Sequence, residues 1–538
     1  MQHPSSPLQK RLGTLGELLA VLVLLAPRVA EADEPRRATE PHILADSATD
    51  LTQVVDAFDE FNDFDLHMSL AFQQSTRRAG IFRETSITQP GLTTGGYGSS
   101  ELNVANYVES TNRLIPAVQI GLFRDVALRV RLPIILSNTR RLEDREGASQ
   151  AGVSGPNAAE VPPGLAGLPG ERLFSVPFEA PTRSGIEYLA VGLDFGVMNQ
   201  YRRPALPTWV VGFEGRFNVS EPMRACNANP GTTTGPTGAT APQLSCAHPS
   251  DVNRDGAADP RLDPELGRPI EGAFAGGRRP GVSRGTTAFE AHTYVSKRIK
   301  YVEPYMGLSG LMEFPTPSSD FGSANLESVA SNHMPVRGSL VVGTAYVPWE
   351  VRESFQRIAL DLRLRGTYVS AGRDYSELFD ALGSSNARSL RTPNFADYRP
   401  NLDGSGQIDN NNPSVADPNS RRVYFSGLTD VEQHAEYEFS GQFTWQAGEY
   451  VKFDVGGAWR IIQSHLITFD RACGVALAND PASAGPCKQN VGSEESPAWS
   501  TTGTPNPEYR GVIHDPGNRF RVGTSHGLDA WVRASVMF

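Results

Sequence analysis

The stretch that decides the fold is Trp531–Phe538, "WVRASVMF". Successive strand residues point to opposite faces, so a period of two sorts them. Read back from Phe538, the residues Val536, Ala534, Val532, Ala530 and Leu528 share one apolar face. Ser535, Arg533 and Asp529 share the other, with Met537 and Trp531 among them. The apolar face suits lipid or a core, and the charged face needs water or ionic partners. Final residues of a chain usually fray unless a sheet holds them, so these are expected to belong to a paired strand.

The same alternation runs through the chain. In "RLIPAVQIGLFRDVALRVRLPIILSNTRR", Leu114, Val118, Ile120 and Leu122 alternate inbound, "FRD" turns, and Val126, Leu128, Val130, Leu132, Ile134 and Leu136 alternate outbound. Arg129 and Arg131 fall on the opposite face. A soluble sandwich would place the apolar face on a core and a membrane barrel would place it on lipid; this hairpin alone does not choose. Candidate strands fall near 63–85, 101–123, 126–140, 184–198, 207–218, 284–297, 301–314, 337–347, 357–371, 427–446, 449–469 and 518–538. The connections alternate short and long, as in barrels with short periplasmic turns and long extracellular loops.

The terminal aromatic with alternate apolar positions resembles the closing strand of Gram-negative outer-membrane β-barrel proteins. Phe538, Val536, Ala534 and Val532 match the signal read by the barrel-assembly machinery. The resemblance implies an all-β, transmembrane, antiparallel up-and-down barrel of about twelve strands, monomeric and surrounded by outer-membrane lipid. A second resemblance, carried by "SGIEYLAVGLDFGV" and "LPTWVVGFEGRFN", is to proteobacterial barrels grouped with transporters of aromatic-degradation pathways. Its motifs name no substrate.

The N-terminus agrees with export. Lys10 and Arg11 precede an apolar run from Leu18 to Pro27, and Ala30-Glu31-Ala32 offers a small-x-small cleavage site. The run is far shorter than the roughly 20 residues of a spanning helix. The expected organisation is a signal peptide over 1–32, a periplasmic segment over 33–62 and the barrel over 63–538. The net charge of −11 argues against a nucleic-acid partner, which needs clustered Lys and Arg.

On the polar faces, Arg129, Arg131, Asp361, Arg363, Arg365, Lys452, Asp454 and Arg460 are expected to line a wet lumen. Tyr301, Tyr346, Trp349, Trp445 and Tyr450 near strand ends are candidates for interfacial girdles. The four cysteines fall in pairs inside two long loops, Cys226 with Cys246 and Cys473 with Cys487. An exported chain meets an oxidising compartment, so local disulfides are expected; neither pair has the close spacing of a zinc knuckle. "DVNRDGAAD" sets Asp251, Asn253, Asp255 and Asp259 around Gly256, the start of a calcium-loop pattern whose twelfth position is Leu262. "NLDGSGQIDNNN" offers Asp403, Ser405 and Asp409 in a weaker version. Loop-bound calcium is one reading and ordinary Asp/Asn/Gly turn chemistry is the other. "GRDYSELFDALG" spaces Tyr375, Leu378, Phe379 and Leu382 as a short helix would, either packed on the barrel mouth or constricting it.

Catalysis is not expected. Ser525 and His526 are adjacent on a strand and so face opposite ways. The G-x-S-x-G spacing occurs in "GVSRG" (281–285) and "GTSHG" (523–527), but neither opens a helical pattern as a nucleophile elbow requires. There is no H-E-x-x-H, and the signature of the outer-membrane phospholipases is missing. The expected function is a passive pore or uptake channel for small solutes. The alternative is a structural barrel with disulfide-stapled, calcium-binding loops and a closed lumen.

Overall fold

The computed structural model describes, with short interruptions, residues 47–88, 97–144, 173–242, 279–321, 333–393, 422–469 and 511–538, together with 246, 489–490 and 499–500. Twelve antiparallel wall strands close on themselves. They are β1 (Leu66–Thr88), β2 (Tyr97–Phe123), β3 (Val126–Arg131, resuming as Ile134–Glu143) and β4 (Arg183–Ile186, resuming as Leu189–Met198). Next come β5 (Thr208–Phe217), β6 (Thr286–Ser296), β7 (Val302–Pro315) and β8 (Arg337–Val351). The wall is completed by β9 (Gln356–Val369), β10 (His434–Gln446), β11 (Val451–Ile462) and β12 (Ser525–Met537). Each strand pairs with its predecessor. The barrel closes where β12 pairs with β1, from His67 opposite Met537 to Arg78 opposite His526.

Local chemistry explains the breaks and turns. The two pieces of β3 flank Pro133, which has no N–H to give the ladder. The tight turns place Asp125, Lys300 and Phe355 at positive φ, in the left-handed region that few side chains enter. Tyr301, Tyr346, Trp349, Trp445 and Tyr450 stand exposed beside these short turns.

The wall has the reverse polarity of a soluble domain. Its outward positions are large and apolar, with Leu362 and Leu528 each 63% exposed and Leu70, Phe213, Phe289, Leu308 and Val532 exposed as well. Its inward positions carry the charges. An apolar band this extensive would be unstable against water, whereas a hydrocarbon surround satisfies it. Closure leaves no unpaired sheet edge in that surround. No described helix is long and apolar enough to cross a membrane; the crossing elements are strands. The choice between sandwich and barrel, open from the β2–β3 hairpin alone, is decided by closure.

The segment over 372–383 departs from the expected single helix. Gly372–Asp374 pairs as a short strand with Thr429–Val431, and only Phe379–Gly383 forms a helix, α1. The backbone groups of residues 372–374 find partners across the loop, so helix formation is confined to the C-terminal part of the segment.

Candidate functional site

The barrel interior has three levels, each built by residues far apart in sequence. At the mouth beside the short turns the N-terminal segment around residues 47–57 enters the lumen and binds the wall, so this part of the segment expected to precede the barrel is docked inside it. The Ala48 N–H donates to Glu303 Oε2 at 2.6 Å, while Ser47 and Ser296 hydroxyls donate to Glu303 Oε1. Thr52 bonds Ser296 at 2.9 Å and the Ala57 N–H reaches the Phe123 carbonyl at 3.2 Å. Asp50 is held by Arg533, by Lys452 Nζ at 3.2 Å and by Gln442 Nε2 at 3.3 Å.

Arg533 completes a relay by donating to Asp454 Oδ2 at 2.7 Å, with Thr444 on the other oxygen at 2.7 Å. Burial opposes ionisation of Asp50, but the Arg533 and Lys452 charges outweigh it and hold the carboxyl well below the usual range. Beside this plug, between it and the short turns, lies a cavity of about 400 Å³ whose lining includes Ser47, Thr52, Gln200, Arg298 and Glu303.

The middle level is a belt of ion pairs across neighbouring strands. Arg129 on β3 pairs with Asp194 on β4, whose other carboxylate oxygen accepts from His292 Nε2 on β6 at 2.9 Å. The strand between them, β5, presents Gly212, where a Cβ would meet Asp194 Oδ1 and His292 Nε2 at 2.3 Å each. The glycine is what lets the two side chains meet over an intervening strand. Arg131 donates to Glu214 at 2.6 Å, Arg216 bridges Glu214 and Glu290, and Arg460 pairs with Asp529. Large rings occupy the space that a Cβ would take at inward glycines in the same way, Trp531 at Gly456 and Tyr305 at Gly343.

The level at the long-loop end is a packed plug. Leu378, Phe379 and Leu382 around α1 are fully buried, together with Leu173 and Ile513 from other loops and Phe520 from a short strand paired with β1, against wall residues such as Ile81 and Ala105. Asp380 of α1 accepts from both terminal nitrogens of Arg183, at 3.1 and 2.5 Å, and from the Cys226 N–H at 3.0 Å. Cys226 and Cys246 form a disulfide. Nearby, Arg77 pairs with Glu377, and the His434 and His465 rings stack with centroids 3.7 Å apart. Burial pushes His465 down to about 4.

The structure turns Arg129, Arg131, Asp361, Arg363, Arg365, Lys452, Asp454 and Arg460 to the inside and Val532, Ala534, Val536 and Phe538 to the outside. Asp361 accepts from Arg363 at 2.9 Å and from Tyr305 and Thr49, and Arg365 stands directly opposite Glu438. Phe538 joins the first strand through two backbone bonds with Leu66, each 2.9 Å. Ser525 is buried on the lumen side and His526 exposed on the outside, so they form no pair. Asp251, Asn253, Asp255, Asp259, Asp403, Ser405, Asp409, Cys473 and Cys487 lie outside the described residues. Among the described residues no group of three or more His, Cys, Asp or Glu is arranged to hold a metal. Asp50, Glu303 and the Asp194–His292 pair were not legible as site residues; the local hint was polar side chains at positions that wall pairing turns inward.

No protein-family model matches the chain, and no curated protein matches it in sequence. Among solved structures, it is similar to an outer membrane channel from Pseudomonas putida F1 at 8% identity, over 94% of this chain and 100% of the other, with a TM-score of 0.31. It is also similar to a Pseudomonas aeruginosa FadL homologue, at 9% identity over 88% and 91% with a TM-score of 0.30. A third is the outer membrane protease OmpT from Escherichia coli, at 8% identity over 90% and 100% with a TM-score of 0.24. At scores this low the barrel assignment rests on the strand pairing itself.

Proposed function

We propose that this chain is a channel of the Gram-negative outer membrane that passes small solutes once its plug withdraws, and that it is not a catalyst. The observation that carries this reading is the chemistry of the periplasmic plug. Residues 47–52 are held to the wall chiefly by hydrogen bonds and ion pairs, through Glu303, Arg533 and Lys452, with one apolar side chain, Leu51, packed against Tyr294, Tyr305 and Val341. Water can replace such contacts when the segment leaves, so opening does not expose a large apolar surface. The belt of paired ions behind the plug gives a wettable path suited to polar solutes.

A second reading, a barrel whose lumen stays shut, is favoured by the apolar packing of Leu378, Phe379 and Leu382 at the extracellular level. Conductance in planar bilayers separates the two. The intact protein should be mostly closed, and a variant lacking residues 47–57 should conduct persistently. If the deletion variant inserts but stays silent, the channel reading falls; if the intact protein conducts equally well, the plug is not the gate.

A further inference from the structure

Outward-facing residues at the external end of the barrel are not the same all the way round. On β9, β10 and β11 they are aromatic at that height, Tyr368, Tyr437 and Trp459. On β12, β1 and β3 they are basic: His526 lies opposite Arg78, Arg78 opposite Val108 of β2, and Val108 opposite Arg141. His526, Arg78 and Arg141 are all exposed. Below them on the same outer surface come Thr76, Gln74, Ser110, Asn112 and Thr139, and only then the apolar Phe72, Leu70 and Leu114. Arg78 and His526 stand roughly a dozen residues along their strands from the periplasmic end, just beyond the roughly 9–11 residues that a tilted strand needs to cross hydrocarbon. They therefore stand at the headgroup level of the outer leaflet.

A guanidinium at that level, facing away from the protein, needs an anion from the membrane. Arg78 forms no ion pair with any described carboxylate. Arg141 is bonded at 2.7 Å to Glu143, but both side chains are nearly half exposed, and pairs of that kind contribute little and exchange readily. The two arginines sit two strand spacings apart, about 10 Å, with hydroxyl and amide side chains beneath them. His526 stacks on Trp459 with rings 12° from parallel, which fixes one edge of the patch. Charge, span and the neutral donors below fit a phosphorylated sugar better than a small zwitterionic headgroup.

We propose that this patch binds the phosphorylated glycolipid of the outer leaflet, with Arg78 and Arg141 each taking a phosphate as a charge-assisted pair and the side chains beneath hydrogen-bonding the sugars. The assignment rests on the outer-membrane reading of the barrel. It concerns the lipid-facing wall, separate from the lumen and its plug.

The test uses the full chain reconstituted in phosphatidylcholine vesicles carrying diphosphoryl lipid A, dephosphorylated lipid A or phosphatidylglycerol. Flotation and heat-modifiable gel mobility first report insertion; failure to insert in every vesicle would sink the membrane reading itself. With insertion established, the wild type should retain diphosphoryl lipid A through detergent extraction in preference to the other two lipids. Arg78→Gln should reduce that retention roughly tenfold, the loss of one charge-assisted contact, and Arg78→Gln with Arg141→Gln should abolish the preference. Arg124→Gln, in the β2–β3 turn at the other end, should change nothing. Equal retention of all three lipids, or an undiminished preference in the double variant with normal insertion, would overturn the proposal.

Discussion

Asp50 and Arg533, 483 positions apart in the sequence, form an ion pair at the short-turn mouth of the barrel. Arg533 also keeps Asp454 at 2.7 Å, so losing Asp50 does not leave it unpaired. Asp50→Ala should therefore release the plug without unfolding the wall. The partly exposed pair is expected to contribute about 1–2 kcal/mol, between surface and buried values, or roughly tenfold in the open-to-closed ratio. Single-channel open probability checks this, and unchanged gating would show that the pair does not latch the plug.

The same pair sets a pH window. The folded value of Asp50 lies below its ordinary value near 4. A depressed carboxylate stabilises the docked form above the ordinary value, and the contribution disappears as pH falls through the lower, docked value. Closure should thus be flat from pH 7 to about 4 and weaken only in stronger acid. Conductance recorded against pH would expose the error if opening began near 6.

At the middle level, Gly212→Ala should separate Asp194 from His292, because the new methyl group would occupy the space of their contact. Leaving these buried groups without each other is expected to cost about 1–3 kcal/mol. Gly366, whose added Cβ meets nothing within 4 Å, provides the comparison, and Gly366→Ala should be close to neutral. Unfolding midpoints in detergent measure both; equal effects would remove the steric account.

In the plug at the long-loop end, Asp380→Ala strands the Arg183 guanidinium, whose side chain is 1% exposed. Breaking a buried pair from one side typically costs about 3–5 kcal/mol. Limited proteolysis should show the loop around α1 cleaved faster while the barrel core survives. Arg183→Met with Asp380→Leu removes both charges and should recover part of the loss, since no buried charge is stranded and only the neutral Cys226 N–H and the Arg224 and Pro280 carbonyls lose a partner. If the single variant resists protease like the wild type, the pair is dispensable.

Removing Phe538 deletes both backbone bonds that join the last residue to Leu66 and one exposed ring beside Tyr450. Assembled, heat-modifiable protein in membranes should fall, while a Phe538→Tyr variant should assemble nearly normally. Equal assembly of the deletion would remove the terminal-signal reading of Val532, Ala534, Val536 and Phe538.

The wall was legible from one sequence because its information is local. Alternation such as Ile358, Leu360, Leu362 and Leu364 against Asp361, Arg363 and Arg365 states which side chains share a face, whatever lies opposite. Short connections such as Arg124-Asp125 then oblige neighbouring strands to pair. The segment Gly372–Gly383 shows where this fails: spacing favoured one helix, but its first residues found strand partners in Thr429–Val431, which no local pattern reveals.

Strand positions, their order and the sorting of apolar from charged faces were thus determined by the sequence itself, through a period of two and turn lengths that act over a few residues. Which charge meets which was decided only by the closed barrel. Asp194 and His292 meet because the register sets Gly212 between them, Asp380 meets Arg183 across 197 positions, and Asp50 reaches Arg533 only once β12 has returned to β1. An isolated charge in a sequence carries no record of its partner, because ionic attraction depends on distance in space, and that distance is set when the sheet closes.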